Sequence, residues 1–68
     1  MNVTINGQIE QIPSGLTIVG LLAHKSVEMP DMVSVELNGE ILDRPAFDTT
    51  LVSEGDSLEF LYFMGGGQ

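Results

Sequence analysis

Few side chains in this 68-residue sequence could do chemistry, and their spacing narrows the choice further. His24 is the only histidine and there is no cysteine. A cysteine nucleophile, a thiolate zinc site, a disulfide and a histidine metal cluster are therefore excluded. A hydrolytic triad needs a histidine oriented by an acid, and no such motif surrounds His24, which reads as an exposed helix-end residue. Glu36/Glu40 and Glu54/Asp56 have the residue types of an acid–base pair. Each pair straddles a turn glycine, Gly39 or Gly55, where carboxylates are ordinary solvated turn residues. Gly65-Gly66-Gly67 is no phosphate loop, because neither a helix nor Gly-Lys-Ser/Thr follows it. What remains is the glycine run itself, set directly after an apolar segment and followed by Gln68. Extended, Gly65 to Gly67 reaches about 10 Å at roughly 3.3–3.6 Å per residue. A backbone without side chains can thread a narrow channel and present a carboxylate to chemistry done in another protein. A frayed terminus with no role is the competing reading.

The elements that must position this tail are written in the hydrophobic pattern. Met1, Val3 and Ile5 alternate with Asn2 and Thr4, and Asn6-Gly7 follows, the dipeptide that best accepts positive φ in a tight hairpin. Gln8 to Ile12 returns as a second strand, but Ile9 and Ile12 have opposite parity. A bulge or an early exit at Pro13 is expected. Thr17 has the chemistry of an N-cap for a helix over about Ile18 to Lys25, with Ile18, Leu21 and Leu22 at i, i+3 and i+4. Gly20 inside it costs about 1 kcal/mol relative to alanine, so packing must hold this helix. After a loop from Ser26 to Met32, the residues Val33, Val35 and Leu37 alternate as a third strand. Asn38-Gly39 turns it back through Ile41 and Leu42, and Phe47 anchors the irregular stretch that follows. Glu54-Gly55-Asp56 makes an acidic turn into Ser57–Phe63. There Leu58, Phe60 and Tyr62 share one face, and Glu59, Leu61 and Phe63 the other. A half-buried strand should be polar on its wet side, and Leu61 and Phe63 break that rule.

One helix, two hairpins and a last long strand fit a two-layer α+β domain with the helix laid across a mixed sheet of four to five strands. A chain this short buries about 60% of its unfolded surface and leaves no room for a second domain. The expected division is a single domain over residues 1–64 and a flexible glycine-rich tail over 65–68. Ten Asp/Glu against two Lys/Arg give a net charge of −8 and a pI near 4.1, with 43% hydrophobic residues. Only Lys25 and Arg44 could displace counterions, so nucleic acid and anionic membranes are poor partners. A folded acidic domain suits a basic protein surface, although solubility alone also accounts for the charge. With no apolar run of membrane-spanning length and no leader signal, a soluble cytoplasmic protein is expected.

The sequence resembles the ThiS family of ubiquitin-like sulfur carriers of thiamine thiazole synthesis. The resemblance lies in Val3-Thr4-Ile5-Asn6-Gly7, Gly15-Leu16-Thr17-Ile18-Val19-Gly20-Leu21-Leu22, Val35 through Arg44, Glu54-Gly55-Asp56 and the terminal glycines. It covers essentially the whole chain in register, and its specificity lies in the joint order of pieces that are weak singly. It implies a ubiquitin-like β-grasp fold and a C-terminal Gly-Gly that carries sulfur as a thiocarboxylate, placed here on Gly66-Gly67. It implies a protein cosubstrate rather than an enzyme, with no cofactor of its own. Its partners would be an E1-like adenylating enzyme that uses ATP and magnesium, a thiazole synthase, and a sulfur donor such as a cysteine desulfurase or a sulfide source. Leu61, Phe63, Met64 and Gly65 are the expected docking residues. Gln68 departs from the pattern by one residue. A peptidase that removes it, a divergent partner that accepts it, and a cloning remnant are the three readings. Molybdopterin synthesis, another sulfur-transfer pathway, or an interaction module with an inert tail are the alternative functions.

Overall fold

The computed structural model describes residues 1–62. Strands β1 (Asn2–Ile5) and β2 (Gln8–Gln11) form the first hairpin, followed by helix α1 (Ile18–His24), a second hairpin of β3 (Val33–Leu37) and β4 (Glu40–Ile41), and finally β5 (Ser57–Tyr62). Single 3-10 turns at Pro30–Met32 and Arg44–Ala46 interrupt the connections. The sheet order is β2-β1-β5-β3-β4. β5 therefore lies at the centre, parallel to β1 and antiparallel to β3. This is a mixed five-stranded sheet on one helix with β-grasp topology, the upper end of the four to five strands that the pattern predicts.

Both Asn-Gly turns form as expected, with φ of 52° and 85° at Asn6 and Gly7 and 52° and 88° at Asn38 and Gly39. Positive φ at both central positions gives the turn a twist matching the strands it joins. β2 pairs with β1 in unbroken register, Thr4 opposite Ile9 and Val3 opposite Glu10, and ends before Pro13. The parity conflict is thus resolved by early exit and not by a bulge. Ile9 faces solvent at 77% exposure, while Ile12 turns into the core at 4%.

Thr17 caps α1, its Oγ1 accepting the Gly20 N–H at 3.1 Å. The helix stops one residue earlier than the pattern indicates, with Lys25 as C-cap. Ser26 then takes the left-handed conformation at φ 56°, and the Ser26 and Val27 N–H groups donate to the Ala23 and Leu22 carbonyls, both at 3.0 Å. That pair of bonds satisfies carbonyls the helix end leaves open. Ile18, Leu21 and Leu22 pack with Val3, Ile5, Val33, Val35, Leu58 and Phe60 in one core. Ile12, Phe47 and Val52 close its ends. Val52 enters because the irregular segment is stitched to the helix start: Val52 N–H donates to Leu16 O at 2.9 Å and Ile18 N–H to Thr50 O at 3.1 Å.

Leu22→Ala removes a side chain only 4% exposed, and should cost about 2–5 kcal/mol in urea unfolding. In a marginally stable domain that loss unfolds a large fraction of the molecules. A variant as stable as the parent would overturn this core assignment. Gly20→Ala should act in the opposite direction, stabilising by about 0.5–1 kcal/mol. A Cβ at Gly20 would meet nothing closer than the flexible Leu16 Cδ2 at 3.4 Å. A lowered midpoint for Gly20→Ala in the same unfolding measurement would show that Leu16 cannot yield.

Candidate functional site

The strongest candidate is the sheet face turned away from α1, together with the chain that leaves β5. Cross-strand partners share a face, so the register assigns the open face directly. Ile41 lies beside Glu36 and Glu36 beside Glu59; Ser34 lies beside Leu61; Ser57 lies beside Thr4 and Thr4 beside Ile9. Leu61 is 40% exposed and Ile41 58%. No described loop folds over them, so the apolar wet face expected at Leu61 is open. Ile41 and Ile9 join Leu61 on this face, which the sequence reading had not assigned to it. Their signal was parity: each is an apolar residue out of phase with its strand's core positions.

The electrostatics of this face are one-sided. Glu36 and Glu59 stand directly opposite each other, an arrangement of like charges that weakens a strand pair by some tenths of a kcal/mol. Both cations of the chain are engaged elsewhere. Lys25, at the end of α1, forms a salt bridge with Glu10 on the helix side of β2. Arg44 donates to the Pro30 carbonyl at 3.0 Å and the Val33 carbonyl at 2.6 Å, with its guanidinium 5.1 Å from the Phe47 ring centre. The open face is left with negative charge, apolar side chains and the hydroxyls of Thr4, Ser34 and Ser57, and with no Lys or Arg of its own.

The other candidates carry no chemistry. His24 is exposed at the helix end. Glu54 and Asp56 are turn fasteners: Glu54 Oε1 accepts the Asn2 N–H at 3.0 Å and Asp56 Oδ2 accepts the Ser53 N–H at 2.7 Å. Glu36 and Glu40 fall on opposite faces, since the register pairs Glu36 with Ile41 and Leu37 with Glu40. Among the described residues no cluster of His, Cys, Asp or Glu could hold a metal ion. Two clefts flank the helix. One, of about 500 Å³, is apolar and lined by Leu22, Val27, Pro30 and Phe47. The other, of about 660 Å³, is polar and lies beside Asn6, Lys25, Phe60 and Tyr62. The polar cleft holds Ser26 near Glu10, Lys25 and Glu28, but Lys25 is committed to its salt bridge with Glu10. Phe63, Met64, Gly65, Gly66, Gly67 and Gln68, the remaining site residues read from the sequence, lie outside the described residues.

The model of the ThiS family matches residues 3–67, which is nearly the whole chain. The chain belongs to the ThiS family. Its fold agrees with a crystal structure of the thiamine biosynthesis protein ThiS from Geobacter metallireducens, at 49% identity and a TM-score of 0.87, covering 98% of this chain and all of that one. A solution structure of a thiamine biosynthesis protein from the same organism gives 48% identity and a TM-score of 0.80, over all of this chain and 90% of that one. Two curated relatives are thiazole synthases, from Magnetococcus marinus at 32% identity and Paramagnetospirillum magneticum at 34%. The alignments cover 100% and 98% of this chain but only 21% and 20% of those proteins. This chain thus spans about a fifth of the length of the thiazole synthases it matches. In ThiS terms, the ubiquitin-like β-grasp is the scaffold, and no helix of the described residues is long and apolar enough to cross a membrane.

Leu61→Asp tests the open face. The substitution leaves the core untouched and should change the unfolding free energy by no more than about 1 kcal/mol. Under the role that the sequence resemblance implies, it should abolish activation by an adenylating enzyme, read as pyrophosphate release from ATP that depends on this chain. A folded Leu61→Asp protein with unchanged kinetics would remove Leu61 from the docking surface.

Proposed function

We propose that this chain is a sulfur carrier protein, working in thiamine thiazole synthesis, whose Gly67 carboxylate is adenylated and converted to a thiocarboxylate. The observation that carries the reading is the family match, which runs to Gly67 on a fold whose central strand ends at Tyr62, shortly before the glycines in sequence. A free carboxylate resists attack by sulfur because it is anionic and has no leaving group. When the Gly67 carboxylate attacks the α-phosphorus of ATP, pyrophosphate departs and an acyl-adenylate forms, supplying both electrophile and leaving group. Hydrosulfide attack on the acyl carbon then expels AMP and leaves the thiocarboxylate. With a persulfide donor the first product is an acyl disulfide, which a thiol must cleave. The thiocarboxylate sulfur is the nucleophile handed to the thiazole synthase.

In this scheme the chain is a protein cosubstrate and not an enzyme. It supplies the tail and the docking face, Leu61, Phe63, Met64 and Gly65 among its residues. ATP and magnesium belong to the E1-like adenylating partner, and sulfur comes from a cysteine desulfurase or a sulfide source. The matches to thiazole synthases favour the thiazole route over other sulfur-transfer pathways, since a segment like this chain forms part of those proteins. The acidic open face would steer a basic partner surface, giving an association rate that falls with salt.

A channel shaped for Gly-Gly holds the reacting carbon at near-attack distance. Each residue beyond Gly67 displaces that carbon by roughly 3.5 Å, so Gln68 must be removed, or be absent from the mature form, before the carrier works. The test is incubation of the full-length chain and of a chain ending at Gly67 with the cognate adenylating enzyme, ATP and sulfide. Oxygen-to-sulfur exchange in the intact mass is expected on the shorter chain only. Sulfur on a protein that still carries Gln68 would show that Gly67 is not the working terminus.

A further inference from the structure

Both Asn-Gly turns reach β5 through their asparagine side chains. Asn38 Oδ1 accepts the Ser57 N–H at 2.9 Å, and its Nδ2 donates to Asp56 Oδ1 at 3.1 Å. On the other side of the strand, Asn6 Oδ1 accepts the Phe60 N–H at 2.9 Å. The second bond occupies a particular place in the ladder. Thr4 N–H donates to Asp56 O and Asn6 N–H to Leu58 O, each at 2.9 Å. A regular parallel ladder would next send the Phe60 N–H to the backbone carbonyl of Asn6. Asn6 instead turns left-handed at φ 52° to start the hairpin, and its side-chain carbonyl takes that rung. Phe60 is 8% exposed, so its N–H would otherwise be a costly orphan. This is the last rung from the β1 side before Leu61, Tyr62 and the glycines.

We propose that Asn6 is a positioning residue for the sulfur-carrying tail, fixing the direction in which β5 delivers it. The proposal rests on the sulfur-carrier reading above. β3 holds this end of the strand from one side as far as Tyr62, and the Asn6 rung is what fixes it from the β1 side. Removing the clamp therefore acts on productive alignment and leaves the open face, where docking occurs, as it was. The turn itself needs only a residue that tolerates positive φ. The clamp needs in addition a side-chain acceptor of asparagine's length, which aspartate has and glycine lacks.

Asn6→Gly and Asn6→Asp separate the two requirements. In amide hydrogen exchange, Asn6→Gly should release Phe60 N–H about five- to tenfold faster relative to its strand neighbours, the worth of one net hydrogen bond. Asn6→Asp should exchange like the parent. In ATP–pyrophosphate exchange with the cognate adenylating enzyme and chains ending at Gly67, Asn6→Gly should lower kcat about three- to tenfold, with KM for the carrier within about twofold. Asn6→Asp should restore kcat. Unchanged Phe60 protection in Asn6→Gly overturns the clamp, and a raised KM at constant kcat overturns the positioning role by assigning Asn6 to docking. If the parent ending at Gly67 supports no exchange, the sulfur-carrier reading falls and the tail role with it, while Phe60 protection still decides the clamp.

Discussion

β5 takes its backbone partners from opposite ends of the chain. Ser57 and Leu58 pair with Thr4 and Ile5 on one side, while Leu58 to Tyr62 pair with Leu37 to Val33 on the other. Its inward side chains, Leu58 and Phe60, lie under α1 with the core residues of both hairpins around them. Three strands, β1, β5 and β3, are paired on both edges, and β5 is the middle one, where the two hairpins meet. The strand that precedes the glycines is thereby held by pairing to both hairpins at once. The two hairpins, the helix and the stitched segment around Val52 each have β5 or its neighbours as their support.

Charge is distributed with the same economy. Arg44 is spent on two backbone carbonyls and an aromatic ring, and Lys25 on Glu10. These bonds fasten the connections on the helix side, where the irregular segments are least supported by sheet pairing. The cost falls on the open face, where Glu36 and Glu59 repel each other with no cation between them. An arrangement that weakens the isolated domain becomes favourable when a basic surface covers it. The same face exposes Leu61 and Ile41, so apolar contact and charge complementarity are available within one patch.

Most of this architecture was legible in the sequence because its signals are local. Alternation at Met1–Ile5 and Val33–Leu37, the two Asn-Gly pairs and the Thr17 cap each depend on a few neighbouring residues. Val52 was not legible: it sits in an aperiodic stretch, and its burial follows from backbone bonds to Leu16 and the start of α1. Ile9 and Ile12 look alike as residue types, and only the register with β1 separates the exposed one from the buried one. At the candidate site, Leu61 declared itself by breaking the polar rule of a wet strand face. The Asn6–Phe60 bond did not, because an Asn-Gly pair reports backbone conformation and carries no mark of what the asparagine side chain will reach.

The central place of the last strand also bears on how the molecule is made. Before Ser57–Tyr62 is available, the two hairpins share no strand, and isolated hairpins are marginal in water. The closing event joins residues from the two extremes of the chain, the kind of pairing that folds late and slowly. Val3, Val35 and Leu21 share one core with Leu58 and Phe60, so their full burial needs β5 in place. A chain shortened by loss of β5 would therefore lose its fold together with its tail, and would compete poorly for any partner that reads a folded surface. Folding itself thus acts as an inspection: a folded molecule is one whose strand leading to the glycines is in place.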